Sequence, residues 1–473
     1  MTHDIDHLVS QLTIEEKAQL TSGASMWTTH GIDRCGVPSV TVTDGPAGAR
    51  GPTLPGIGAQ VPTLCIPCGS ALGATFDPHL LEQLGEALGH QARTKGARVL
   101  LAPTVNLPRS PLFGRSFECY SEDPILSGKL AAAFVRGAQS QGVATTVKHF
   151  VGNETEFERM TIDTVIDERT LREVYLVPFE LAVREGGSLG IMTSYNRVNG
   201  SYCAESRWLL QDILREEWGF DGFVVTDWFA GATTRAAAVA GLDLEMPGPA
   251  RAYGRFLAQA VAEGEVDEAD LDRAVSTLLS VFSRLGAFDD EPVPSTAVDL
   301  PAHRALARRA ASESMVLLKN ESRAPQSRPL LPLDATSLRS VALIGPNAER
   351  TRIMGGGSAE VRPTPPSSSP TMGRPVSGSR SSTAPIRARI CSPPSNDPMD
   401  GCYWPDDTTW VFPRPASISS PMASCRCPRA VTTRCRWSRS VRVDCRSMDN
   451  SSSMERVPFP NAARPSSEWA ASR

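Results

Sequence analysis

The chain has 473 residues, 41% hydrophobic and 21% charged, a globular composition with room for a large α/β barrel and an appended domain. No apolar run approaches the ~18 residues of a membrane span, which excludes a spanning helix. A formal net charge of −4 with pI 6.1 leaves no basic footprint for nucleic acid.

The opening stretch MTHDIDHLVSQLTIEEKAQL has neither a basic start nor an apolar segment, so it predicts no secretory leader, a cytoplasmic location and reduced cysteines. Thr13 and Glu16 form a capping box for an N-terminal helix. Cys65 and Cys68 make a C-x-x-C with no second pair at metal-ligand spacing and read as core thiols; no metal or cofactor is expected. Asp77-Pro78 starts a helix with its apolar stripe on Leu80, Leu81, Leu84, Leu88 and Ala92, and RVLLAP follows as a strand. Asp123-Pro124 starts another helix, which Gly142 ends, and VATTVKHF is the next strand.

The alternation continues with a helix from Asp167 to Arg184, the strand SLGIMTSYN, a helix from Ser206 to Trp218, the strand GFVVTDW, a helix near 231–240 and LDLEMP. Apolar strands each followed by a helix predict a parallel sheet of the (β/α)8 TIM-barrel type, closed by two helices before Gly286. The domains are therefore a barrel over 1–288, a linker over 289–302 and the start of a truncated α/β sandwich domain over 303–362. That start comprises a helix from His303, the strands MVLLKN and SVALIGPN, and the loop GGGSA.

Composition breaks at Pro363. Residues 1–362 hold 39 leucines, whereas 363–473 hold none, and also no Lys, His or Gln, against 22 Ser, 17 Pro and 15 Arg. This tail has few means of building a core and should be largely disordered. Losing four residue types together suggests translation in a shifted reading frame.

In a parallel barrel the working groups sit just past the C-terminal strand ends. There VTVTDGPAGAR offers Asp44 and Arg50, and NLPRSPLFGRSFECYSEDP offers Arg109, Arg115, Glu118, Glu122 and the helix cap Asp123. VKHFVGNETEFER presents Lys148 and His149, of which strand alternation lets only one enter the barrel unless the strand bends, followed by Asn153, Glu154 and Arg159. IMTSYNRVNG presents Met192, Ser194, Tyr195 and Asn196, an aromatic and polar set suited to a sugar ring. GFVVTDWFAG places Asp227 at the end of a buried strand beside Trp228, where nearby cations should hold its pKa low and the carboxylate ionised, as a nucleophile requires.

With LDLEMPG, these stretches in this order resemble the β-glucosidase branch of glycoside hydrolase family 3 over residues 1 to about 362. The resemblance implies hydrolysis of terminal non-reducing β-D-glucosyl residues, on a small β-glucoside or oligosaccharide, through a covalent intermediate on Asp227. It implies that Asp44, Arg115, Lys148, His149, Arg159, Met192, Tyr195 and Trp228 wall the sugar subsite. In this branch the acid/base is a Glu of the second domain; Glu455 and Glu468 lie in the tail without matching context, so no acid/base is assigned and activity should be impaired. Two alternatives are a non-catalytic sugar-binding or non-functional truncated chain, and a β-N-acetylglucosaminidase of the same family, whose loop His has no counterpart in NETEFERM.

Overall fold

The computed structural model describes residues 3–364 apart from 54–59, 290–292, 323–327, 339, 345–352 and 354, together with the backbone of 387–391. The expectation of disorder for the remainder of the tail lies outside the described residues.

Five parallel strands, β1 (Thr41–Asp44), β2 (Ala97–Leu101), β3 (Ala144–Phe150), β4 (Gly190–Thr193) and β5 (Phe223–Thr226), form one sheet in sequence order. Every residue of β3, β4 and β5 is buried, as a sheet covered on both faces requires. Single bridges extend the sheet where the (β/α)8 expectation had further strands. Val225 pairs with Leu244, Glu245 with Ser22, and Thr28 with Thr41 of β1. The LDLEMP segment and the N-terminal chain thus lead from β5 back to β1.

Local signals placed the helices well. The capping box forms, with Glu16 N–H donating to Thr13 Oγ1 at 3.3 Å and Thr13 N–H to Glu16 Oε2 at 2.9 Å. Asp77 Oδ1 accepts from His79 and Leu80 at the head of the helix Pro78–Thr94, and Asp123 Oδ1 accepts from Ile125 and Leu126 at the head of Pro124–Gln139. These two helices touch backbone to backbone. A Cβ on Gly137 would sit 2.0 Å from Glu82 O, so only glycine permits that approach.

Three segments differ from expectation. The helix over 167–184 widens to i→i+5 bonding at Leu171–Tyr175, because Pro178 follows with no N–H to continue the regular ladder. MVLLKN is not a strand: Met315, Val316, Leu317 and Leu318 run irregular and exposed, with no neighbour to complete a ladder among the described residues. Within the tail, the backbone of Arg387–Cys391 pairs parallel with Ser340–Ile344, so this stretch takes part in a two-stranded sheet. The helix Pro301–Glu313 begins two residues before His303 and packs its buried Ala310 into the barrel's core. No helix among the described residues is long and apolar enough to cross a membrane.

Candidate active site

The strand ends converge on a cavity of about 490 Å³. Asp44, Arg115, Lys148, His149, Arg159, Met192, Tyr195, Asp227 and Trp228, the nine residues to which the resemblance gives a role, line it.

Asp44 closes β1, and its two carboxylate oxygens are divided between two cations. Lys148 Nζ lies 3.1 Å from Oδ1 and Arg50 Nη2 2.9 Å from Oδ2. All three side chains are buried, so each charge depends on the others. Arg50 also donates to Ser358 O at 3.0 Å and lies over the Trp27 ring.

Lys148 and His149 both face the cavity, which strict alternation would forbid. The register between β3 and β4 shifts between Val147 and Phe150, so the strand is irregular where the two side chains leave it. His149 is buried. Burial, with Arg115, Lys148 and Arg159 nearby, pushes its pKa well below the ordinary histidine value and keeps the ring neutral. Its Nδ1 lies 3.0 Å from Asn106 Oδ1, and its Nε2 3.5 Å from Asp227 Oδ2.

Asp227 follows β5. Its Oδ1 accepts from the Trp228 backbone N–H at 2.7 Å, whereas Oδ2 is buried and accepts no hydrogen bond from the described residues. The expected depressed pKa is corrected here: burial outweighs Arg115 and Lys148, and the carboxyl is pushed above the ordinary Asp value. Two other buried carboxylates nearby are fully engaged. Asp243 binds Arg215 at 2.6 Å and Arg273 at 2.8 Å, and Glu245 takes the amides of Arg251, Ala252 and Tyr253.

The walls are locked by their own partners. Arg115 Nη2 reaches Glu118 Oε2 at 2.7 Å and Ser358 Oγ at 3.1 Å. Arg159 pairs with Glu156 at 2.6 Å and lies over the Tyr195 ring at 4.3 Å. Tyr195 donates to Trp228 O at 2.9 Å; Trp228 Nε1 donates to Met26 O at 2.8 Å, and its ring stacks on Trp27 at 5.4 Å. Arg109 instead lies over Tyr175, and Asp123 is a cap, as expected.

Sequence reasoning missed Asn106, Trp27, Phe117, Glu156 and Ser358. Ser358 belongs to the GGGSA loop, whose segment is anchored to the barrel by Thr63 N–H to Arg362 O and Thr364 N–H to Thr63 O, both 2.9 Å. A patterned signal was present for Ser358 in the glycine run and for Glu156 in NETEFER; none marked Asn106. No cluster suited to a metal ion occurs among the described residues. Burial and then Cys68 push the Cys65 thiol up to about 12, so it is inert, and both cysteines are free thiols.

A parallel α/β barrel that gathers a bare carboxylate, cations and stacked indoles at its strand ends has the build of a barrel enzyme. Residues 13–281 match the Glycosyl hydrolase family 3 N terminal domain, and residues 315–417 match the Glycosyl hydrolase family 3 C-terminal domain, past the composition break at Pro363. The chain belongs to glycoside hydrolase family 3. It is 52% identical over 359 residues to a beta-glucosidase of Rhizobium radiobacter, covering 76% of this chain and 43% of that protein. Among solved structures, the beta-glucosidase of Kluyveromyces marxianus in complex with glucose superposes with TM-score 0.71 at 39% identity, over 76% of this chain and 43% of that one. Beta-glucosidase 3B from Thermotoga neapolitana in complex with glucose gives TM-score 0.70 at 39% identity, over 76% and 52%. The chain thus spans about half the length of these relatives or less.

Proposed function

We propose that this chain is a retaining exo-acting β-glycosidase of β-glucosidase type, with Asp227 as nucleophile. The observation that carries the proposal is Asp227 Oδ2, which is buried at the cavity and accepts no hydrogen bond from the described residues, whereas the buried Asp243 and Glu245 have both oxygens engaged. Oδ2 attacks the anomeric carbon, the bond to the aglycone oxygen breaks with its electron pair leaving on that oxygen, and a glycosyl ester of Asp227 forms for water to cleave. Asp44, with Lys148 and Arg50 fixing it, accepts from sugar hydroxyls; Arg115, His149, Arg159, Met192 and Tyr195 complete the walls, and Trp228 supplies the ring face. Residues 1–288 are the catalytic barrel and 303–362 open the second domain.

No residue is assigned as acid/base, so a leaving group that needs no proton is the substrate of choice; acid/base help is worth ~10² to 10⁴-fold, and unactivated glucosides should lag by that factor. Glucose in the structures of two relatives supports a small carbohydrate as ligand. The test is incubation with an activated aryl β-glucoside followed by mass spectrometry of the intact chain. One glucosyl adduct, absent in Asp227→Asn, is expected; an adduct that survives the substitution sinks the assignment. Saturable quenching of tryptophan fluorescence by glucose without any adduct would instead mark a sugar-binding barrel.

A further inference from the structure

We propose that Asn106 is a positioning residue that holds the His149 imidazole as its Nδ1–H tautomer, so that the ring turns a lone pair and not a proton toward Asp227 Oδ2. Three contacts orient the Asn106 amide. The His149 backbone N–H can only donate, and it reaches Asn106 Oδ1 at 2.8 Å. The His149 carbonyl can only accept, and Asn106 Nδ2 lies 3.1 Å from it. Glu154 Oε1 accepts from the same Nδ2 at 3.3 Å and from the Leu107 N–H at 3.4 Å. Reversing the amide would set donor against donor and acceptor against acceptor, so the assignment of its oxygen follows from the partners.

Oδ1, thus fixed, lies 3.0 Å from His149 Nδ1, and that nitrogen must carry a proton. A neutral imidazole has one N–H, and it is spent on Asn106. Nε2 is left as a lone pair 3.5 Å from Asp227 Oδ2, which matches the absence of any hydrogen bond to that oxygen from the described residues. The opposite tautomer would place an N–H against Oδ2 and engage the electron pair that has to attack. The clamp is also robust to protonation. Glu154 Oε2 is buried and unpartnered, so a proton on Glu154 settles there and leaves Oε1 an acceptor. The consequence for reaction rate rests on Asp227 being the nucleophile, as proposed above; the tautomer does not.

The test uses the full chain labelled with ¹⁵N-histidine, whose seven rings give a simple two-bond ¹H–¹⁵N spectrum, with His149 assigned by its loss in His149→Gln. The Nδ1–H pattern is expected at neutral pH. Asn106→Ala should shift the ring to the Nε2–H pattern and slow adduct formation about tenfold or more, the worth of one hydrogen bond to a charged group. Asn106→Asp keeps an oxygen beside Nδ1 and should keep the tautomer, which separates loss of the clamp from loss of the fold. An Nε2–H or doubly protonated ring in the unaltered chain overturns the proposal, as does an unchanged Nδ1–H pattern in a folded Asn106→Ala. An Nδ1–H ring in a chain that forms no adduct supports the clamp and counts against the nucleophile.

Discussion

Lys148 Nζ stands 3.1 Å from Asp44 Oδ1, joining the end of β1 to the end of β3 across 104 residues of sequence. The pair is buried, with Arg50 on the other carboxylate oxygen, so charge balance in the cavity floor depends on all three groups. Removing one partner of a buried pair leaves an uncompensated charge. Lys148→Met should therefore destabilise the chain by about 3 kcal/mol, the low end of the usual range because Arg50 remains. Adding Asp44→Asn should deepen that loss, because Arg50 is then buried without a counter-charge, and denaturant unfolding of the two single variants and the double variant measures the coupling.

Asp227 is held above the ordinary Asp value of 3.8, chiefly by burial. A carboxyl whose folded pKa is raised contributes stability that is fully present below the unfolded pKa and is lost as pH rises through the folded one. Its ionised form is a burden on the fold. Asp227→Asn should consequently raise the melting temperature at pH 7 while abolishing adduct formation, and the gain should vanish below pH 3.8. A variant less stable than the parent at pH 7 would contradict this.

Glu154 is half-buried as a residue, but its Oε2 is out of reach of solvent, and burial pushes its pKa from 4.5 to about 7 against the pull of Asn106, Leu107 and Arg109. The same sign applies over a wider window. Stability from this group is present below pH 4.5 and lost progressively up to about pH 7. It amounts to up to about 3 kcal/mol. Thermal unfolding across pH 4 to 8 should show this decline in the parent chain and a flatter profile in Glu154→Gln.

Ser358 Oγ receives Arg115 Nη2 at 3.1 Å and lies 3.5 Å from Glu118 Oε1, so the glycine-rich loop helps to aim a cavity cation. Ser358→Ala removes one side-chain hydrogen bond, worth ~1 kcal/mol. Glucose affinity, read by tryptophan fluorescence, should fall about fivefold. The melting temperature should barely move, because the loop's anchors at Arg362 and Thr364 are untouched.

Helix starts were legible in the sequence because caps are local: Thr13, Asp77 and Asp123 bond to amides two or three residues away. The strands β2 to β5 were legible for a related reason, and residues at strand ends such as Asp44 and Asp227 land at the barrel mouth, whereas Arg115 and Arg159, in the loops after β2 and β3, were assigned to the walls by the family resemblance. MVLLKN carries the same local pattern and is no strand, because a strand also needs a neighbour, and that is a long-range condition.

Long-range conditions also set the surroundings of each carboxylate. By sequence Asp227, Asp243 and Glu245 are three carboxylates at the ends of apolar runs. Folding brings Arg215 and Arg273 onto Asp243 and a turn of amides onto Glu245, and leaves Asp227 Oδ2 bare. Residue types and their order established the family resemblance and the candidate set. Which carboxylate oxygen is left without a partner, which pKa rises through burial, and which atom His149 Nδ1 meets depend on groups distant in sequence, whose distances and solvent exclusion exist only in the folded chain.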